Sequence, residues 1–169
     1  RDLIIRNLQL GYYDTMKLLK HLKGSKYYII PEEEDKVFEI FRSLPDILVR
    51  ELGKLFNTKE MPVKRMLFER IIPDIADLLE LKAASEYQDI LIGLLEFLAE
   101  ENGVERFRIY SVEEFMKEIK FQREGKSRMH VKRPVLKGRK SLNTRLAYIL
   151  KRKSRLSKAA KHIFDEINS

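Results

Sequence analysis

Apolar residues recur at helical spacing along nearly the whole chain, and that rhythm breaks where proline, glycine or capping residues stand. Val37, Ile40, Phe41 and Leu44 follow the i, i+3, i+4, i+7 pattern of a helix with one buried face. Glu32, Glu33, Glu34 and Asp35 open that helix, where acids meet the positive end of the macrodipole. Ser43 and Pro45 mark a new start, and Leu48, Leu52 and Leu55 carry the next helix to Phe56. After Asn57-Thr58, Pro62 begins a helix with Val63, Met66, Leu67 and Ile71 inward. Pro73 should end or kink it, since proline lacks the donor and clashes with the preceding turn. Ile75, Leu78, Leu79 and Lys82 continue beyond.

Ser85-x-x-Gln88 reads as a capping box before the most apolar helix, which holds Ile90, Leu91, Leu94, Leu95, Phe97 and Leu98 and stops at Asn102-Gly103. Ser111-x-x-Glu114 caps a helix with Val112, Phe115, Met116 and Ile119, and Gly125 is expected to close it. Residues 2–23 are helix-like, with Gly11 a possible break, Tyr12, Met16 and Leu19 on one face, and Gly24 as the expected cap. Two short stretches read as strands instead: the β-like run 26–30, closed by Pro31, and 106–110, where Phe107 and Ile109 alternate with polar neighbours. They can pair, but nothing in the sequence fixes the pairing. The expectation is a mainly α protein: a helical bundle over 1–124 with at most two short strands, a basic arm over 125–140, and a C-terminal helix or hairpin over 141–169. Phe38, Phe41, Leu67, Ile71, Leu91, Leu94, Leu95 and Phe115 should form its core. The paired tyrosines Tyr12-Tyr13 and Tyr27-Tyr28 are assigned to core packing.

Composition removes whole classes of function. A 169-residue chain with 44% hydrophobic residues has a core to bury and needs no staple. With no Cys there is no disulfide framework, thiolate metal site or cysteine nucleophile, and three isolated His residues do not make a metal centre. No metal or cofactor is therefore expected. No apolar stretch approaches the ~18 residues of a membrane span, and no signal-peptide run opens the chain. A cytoplasmic protein without a membrane partner is the expectation. Abundant Lys, Glu, Arg and Ile with scarce Gln is a thermophile-like bias.

The charge is divided unevenly. Residues 1–116 hold 17 Lys+Arg against 22 Asp+Glu, whereas residues 117–169 hold 17 against four. Within 125–162 there are 14 basic residues and no acid. Such asymmetry points to a polyanion partner for the basic part. Leu142, Leu146, Ile149, Lys153, Leu156, Ala160, Ile163 and Ile167 step by alternating fours and threes, the seam of one helix, although a break near 151–154 would make two. On such a helix Tyr148, Lys151, Arg155, Lys158 and His162 share a face, flanked by Arg145 and Arg152. The candidate nucleic-acid contacts are Lys126, Arg128, Lys132, Arg133, Lys137, Arg139 and Lys140 on the arm. On the helix they are Arg145, Lys151, Arg152, Arg155, Lys158 and Lys161. Backbone contact driven by counterion release suits this set. Sequence readout does not, because helix-turn-helix spacing, zinc-finger ligands and an aromatic RNA-recognition motif are absent, and Tyr148 is the one aromatic within 125–162.

In the nucleic-acid reading the chain is an accessory subunit in DNA or RNA transactions whose acidic bundle docks a protein partner or a second copy. Two other readings follow from the residues. The 142–167 seam can instead pair with another chain's helix, making the chain an interaction subunit of a larger, replication-type assembly. Arg155-x6-His162 resembles the Arg-x4–6-His pattern of HEPN-type ribonucleases. That resemblance implies phosphate stabilisation by the Arg and acid–base chemistry by the His. Leu156 departs from the polar residue usual after that Arg. Leu44-Pro45 followed by the helices over 63–101 is similar to the helical domain of archaeal GINS replication subunits, although that family's small β domain is not visible here.

Overall fold

The computed structural model describes residues 2–82, 84–128 and 144–169, with side chains at all of these except 127–128 and 144–147. The helices are α1 Asp2–Leu19, α2 Glu34–Arg42, α3 Asp46–Phe56, α4 Val63–Met66, α5 Ile72–Leu78, α6 Tyr87–Asn102, α7 Val112–Arg128 and α8 Thr144–Ile167. Between α4 and α5 the chain never leaves helical form: a π turn over Leu67–Ile71 joins them into one rod. Pro73 explains that turn. Its ring would press on the carbonyl of Glu69, and the widened turn covers that residue, so the proline is absorbed and the helix runs on.

α6 is the central helix. It packs on α2, α5, α7 and α8, while α8 also rests on α3 and α5. Its inward residues Ile90, Leu91, Leu94, Leu95 and Leu98 are buried, with Phe41, Leu67, Ile71, Ile75 and Phe115 around them. Phe38, expected in the core, is half-buried and stacks on Phe68 at 5.2 Å. Strand β1 (Tyr28–Ile29) pairs parallel with β2 (Ile109–Tyr110), Tyr28 opposite Ile109. Over 106–110 the fully buried side chain is Tyr110 rather than Phe107 or Ile109, because its ring packs on Phe115 and its hydroxyl donates to the Glu105 carbonyl at 2.9 Å.

Several local boundaries differ from the expectation. α1 passes through Gly11 unbroken, and its end is made by His21 rather than Gly24. His21 has φ 51, and the Leu22 N–H bonds the Lys17 carbonyl at 3.0 Å, which closes a Schellman motif. α3, α5 and α6 end the same way at Asn57, Glu80 and Gly103. The box opening α6 is Glu86 with Asp89, one residue beyond Ser85–Gln88, and Glu34 of α2 adds its carboxylate to the Tyr87 N–H at 2.7 Å. Gln88 is instead buried, its amide donating to the Glu32 carbonyl. Ser111 and Glu114 form the expected box, at 3.1 Å each way. Gly125 does not close α7. Helical bonding continues to Arg128, steadied where Lys126 donates to the Glu101 carbonyl at 2.8 Å. The C-terminal segment is one helix. Leu156, Ala159, Ala160, Ile163 and Phe164 are buried, so α8 belongs to the same core as the bundle.

Gly24 has a different role. It has φ 103, and its loop folds around the carboxylate of Glu96, which is 5% exposed. One oxygen accepts the N–H of Ser25, Lys26 and Tyr27 at 2.8 Å each, and the other accepts the Ser25 hydroxyl at 2.8 Å. A Cβ on Gly24 would stand 2.6 Å from the Tyr27 carbonyl and 2.7 Å from Glu96. The buried charge on α6 thus holds the loop that leads into β1.

Candidate nucleic-acid interface

α8 lies in a trough formed by α3, α5 and α6 because its apolar side chains alternate by fours and threes from Leu156 onward. That seating decides where its cations point. The closing half of the seam, Leu156, Ala160 and Ile163, is spent on the chain's own core, and Ile167 packs at its edge. Upstream, Tyr148, Ile149 and Leu150 stay exposed at 61%, 44% and 52%.

The candidate cations divide into three groups. Lys126 and Lys161 converge on the C-terminal end of α6. There Lys161 pairs with the Glu101 carboxylate at 3.3 Å, Lys126 takes its carbonyl, and Ser157 donates to the same carboxylate at 3.1 Å. A helix C-terminus carries unpaired carbonyls and partial negative charge, so two lysines there are locally satisfied. Arg152 and Arg155 are half-buried and face the end of α5. Arg152 donates to the Asp77 carbonyl at 2.7 Å and lies 5.8 Å from the Tyr148 ring. Both arginines line a small cleft with Asp74, Asp77 and Glu80. The Asp74 carboxyl is held above its ordinary range, chiefly by burial and then by the charge of Asp77, against the opposing pull of Arg70 and Arg155.

The third group is open. Lys151 and Lys158 are exposed on one line of α8, about 10 Å apart at helical rise, with Ser154 and exposed His162 on the same side. Among the described residues no carboxylate pairs with Lys151, Lys153 or Lys158. Lys153 faces elsewhere. With Lys17, Lys23, Lys26, Lys82 and Arg152 it rims a groove of 1030 Å³ floored by Leu22, Leu79, Ile92 and Phe97. Part of that rim is already neutralised: Lys23 bonds Asp89 at 2.9 Å and Glu86 at 3.0 Å, and Lys26 bonds Glu100 at 2.5 Å. The Asp89 bond, then Glu86, raises the pKa of Lys23 against the opposing effect of burial.

Lys132, Arg133, Lys137, Arg139 and Lys140 lie outside the described residues, as do the side chains of Arg128 and Arg145. Arg155 and His162 stand on one unbroken helix, about 10 Å apart, with the arginine turned toward Asp74. Among the described residues no three His, Asp or Glu side chains gather as a metal site, and no helix is long and apolar enough to cross a membrane.

Sequence reasoning missed the acids that receive these cations. Asp74 and Asp77 share a face at i, i+3, and Glu101 ends α6, yet neither position shows by itself that α8 will lie over it. No protein-family model, curated protein or solved structure matches the chain.

Proposed function

We propose that this protein is a non-catalytic nucleic-acid-binding protein that grips the phosphate backbone through its basic arm and the open line of α8. The observation that supports it best is the 14 basic residues without an acid over 125–162, together with the failure of the folded bundle to bring a carboxylate to Lys151 or Lys158. Arg152, Arg155 and Lys161 are in part satisfied internally, so their role is to seat α8. The phosphate contacts fall to Lys151 and Lys158, with Lys132, Arg133, Lys137, Arg139 and Lys140 assisting. Such contacts carry no sequence information, and the binding is therefore steeply salt-dependent and largely sequence-independent.

The test is titration of a labelled DNA duplex and a labelled RNA hairpin across salt concentrations. Lys151→Ala with Lys158→Ala should flatten the log–log slope by about two, one for each lost contact. Replacing the five arm cations by Gln should remove most of the remaining slope. A shallow slope in the unaltered protein refutes the proposal.

A second reading rests on the exposed Tyr148, Ile149 and Leu150 beside the groove, which suit a partner helix laid along the first turns of α8. Under that reading Ile149→Asp abolishes capture of the partner and leaves nucleic-acid binding intact. Ile163→Asp is uninformative, because it destroys the core first.

A further inference from the structure

α1 is an 18-residue helix none of whose residues is buried. A free helix of that length is marginal in water, and helices in proteins owe most of their stability to packing of an apolar face. α1 has such a face, and none of the described residues covers it. Ile4, Ile5, Leu8, Tyr12, Leu18 and Leu19 are 51–78% exposed. At 100° per residue these side chains, with Gly11, Thr15 and Met16, fill one half of the helix without a single charge. The opposite half carries the anchor to the bundle: the Tyr13 hydroxyl donates to the Phe107 carbonyl at 2.5 Å, Lys17 donates to the Gly24 carbonyl, and Asp14 accepts from Tyr28 at 3.1 Å. The helix is thus held with its apolar half facing away from its own fold.

We propose that this face pairs with the α1 of a second copy, antiparallel and crossing at Gly11. Three observations select that occupant. The seam Ile4, Leu8, Gly11, Thr15, Leu18 is nearly symmetric about Gly11, so an antiparallel partner sets Ile4 against Leu18 and Leu8 against Thr15. Glycine weakens a helix interior through its backbone freedom, and a Cβ on Gly11 would meet nothing within 4 Å. A glycine with space around it in the single chain has its reason in close approach by another backbone. The Thr15 hydroxyl donates to the Gly11 carbonyl at 2.8 Å, which removes a free polar group from the face. The six large side chains offer roughly 800 Å² per copy, the share each partner gives to a standard interface. A lipid surface is disfavoured by charge: the polar half has Arg6, Lys17 and Lys20 against Asp2 and Asp14, too little excess for attraction to anionic headgroups.

Sedimentation velocity on the full chain reads the result. The protein should dimerise, and Leu8→Glu and Gly11→Leu should each weaken dimerisation at least tenfold without lowering the thermal midpoint of the diluted monomer. The chain has no Cys, so introduced thiols report geometry directly. Ile4→Cys mixed with Leu18→Cys should cross-link, and Ile4→Cys alone should not. Three outcomes overturn the proposal: a monomer at every concentration, a dimer indifferent to both variants, or cross-linking of Ile4→Cys with itself. Binding to phosphatidylcholine–phosphatidylserine vesicles without self-association assigns the face to lipid and overturns it as well.

Discussion

Replacing Glu96 should be among the most damaging single changes in this protein. Its carboxylate receives three backbone N–H groups and one hydroxyl, all from residues 25–27, about seventy positions away in the chain. Hydrogen bonds to a charged acceptor contribute about 1.5–3 kcal/mol each, and a buried donor left without a partner costs about 1–3 kcal/mol. Water entering the vacated space recovers part of that, so Glu96→Ala should cost about 3–5 kcal/mol. For a chain of this size the midpoint of thermal unfolding should then fall by about 10 °C or more. Glu96→Gln sharpens the test. Its amide oxygen can keep the place of the oxygen that receives Ser25, Lys26 and Tyr27, but the charge is lost and an NH₂ group meets the Ser25 side. That variant should lose about 1–2 kcal/mol. Urea unfolding followed by circular dichroism measures both, and amide hydrogen exchange at residues 25–27 shows whether the loop opens first. A cost under about 1 kcal/mol for Glu96→Ala, or a Gln variant no better than the Ala variant, would refute the reasoning.

Tyr27 and Tyr110 are pushed by burial from 10.0 to about 12, so the folded state holds phenolic protons that the unfolded chain releases. Stability should therefore decline as pH climbs from 10 toward 12, and ultraviolet phenolate absorbance should show these two titrating late, with Tyr28 also raised by burial and its bond to Asp14. His21→Gly should stabilise the protein by about 0.5–1 kcal/mol, because His21 is an exposed L-residue at φ 51, where only glycine escapes the Cβ clash; an unchanged urea midpoint would contradict this. The raised carboxyl of Asp74 takes up a proton more readily when folded, so its contribution falls as pH rises from 3.8 through that raised value. Asp74→Asn should flatten that decline in urea midpoints measured across pH. It should also release Arg155 and tighten nucleic-acid binding at low salt, and weaker binding would argue against an opposing role for the cleft acids.

Helix periodicity was legible wherever the inward face was continuous, as at Val37–Leu44 and Ile90–Leu98, because each such face answers to residues three and four positions away. Caps were less legible. Ser111 and Glu114 bond each other as their spacing implies, whereas Ser85–Gln88 looked equally good and yielded to Glu86–Asp89 once Gln88 found the Glu32 carbonyl. Pro73 is expected to end or kink its helix, and the local sequence does not show that a π turn over Leu67–Ile71 absorbs it. For the candidate interface, the basic character of 125–162 was visible directly. The division of its cations was not, since Arg152 and Arg155 meet acids that lie some eighty residues earlier.

What the chain's order of residues determined alone was local: where helices run, which stripe of each is apolar, and that positive charge gathers toward the carboxyl end. These depend on hydrogen bonds and contacts within one or two turns. What only the tertiary structure decided was pairing across distance. Glu96 closes over residues 25–27, α8 takes its place among α3, α5 and α6, Lys151 and Lys158 are left in solvent, and α1 stands with its apolar half uncovered. Those outcomes follow from which buried groups can satisfy one another once the helices have docked, and no spacing within a single segment encodes that.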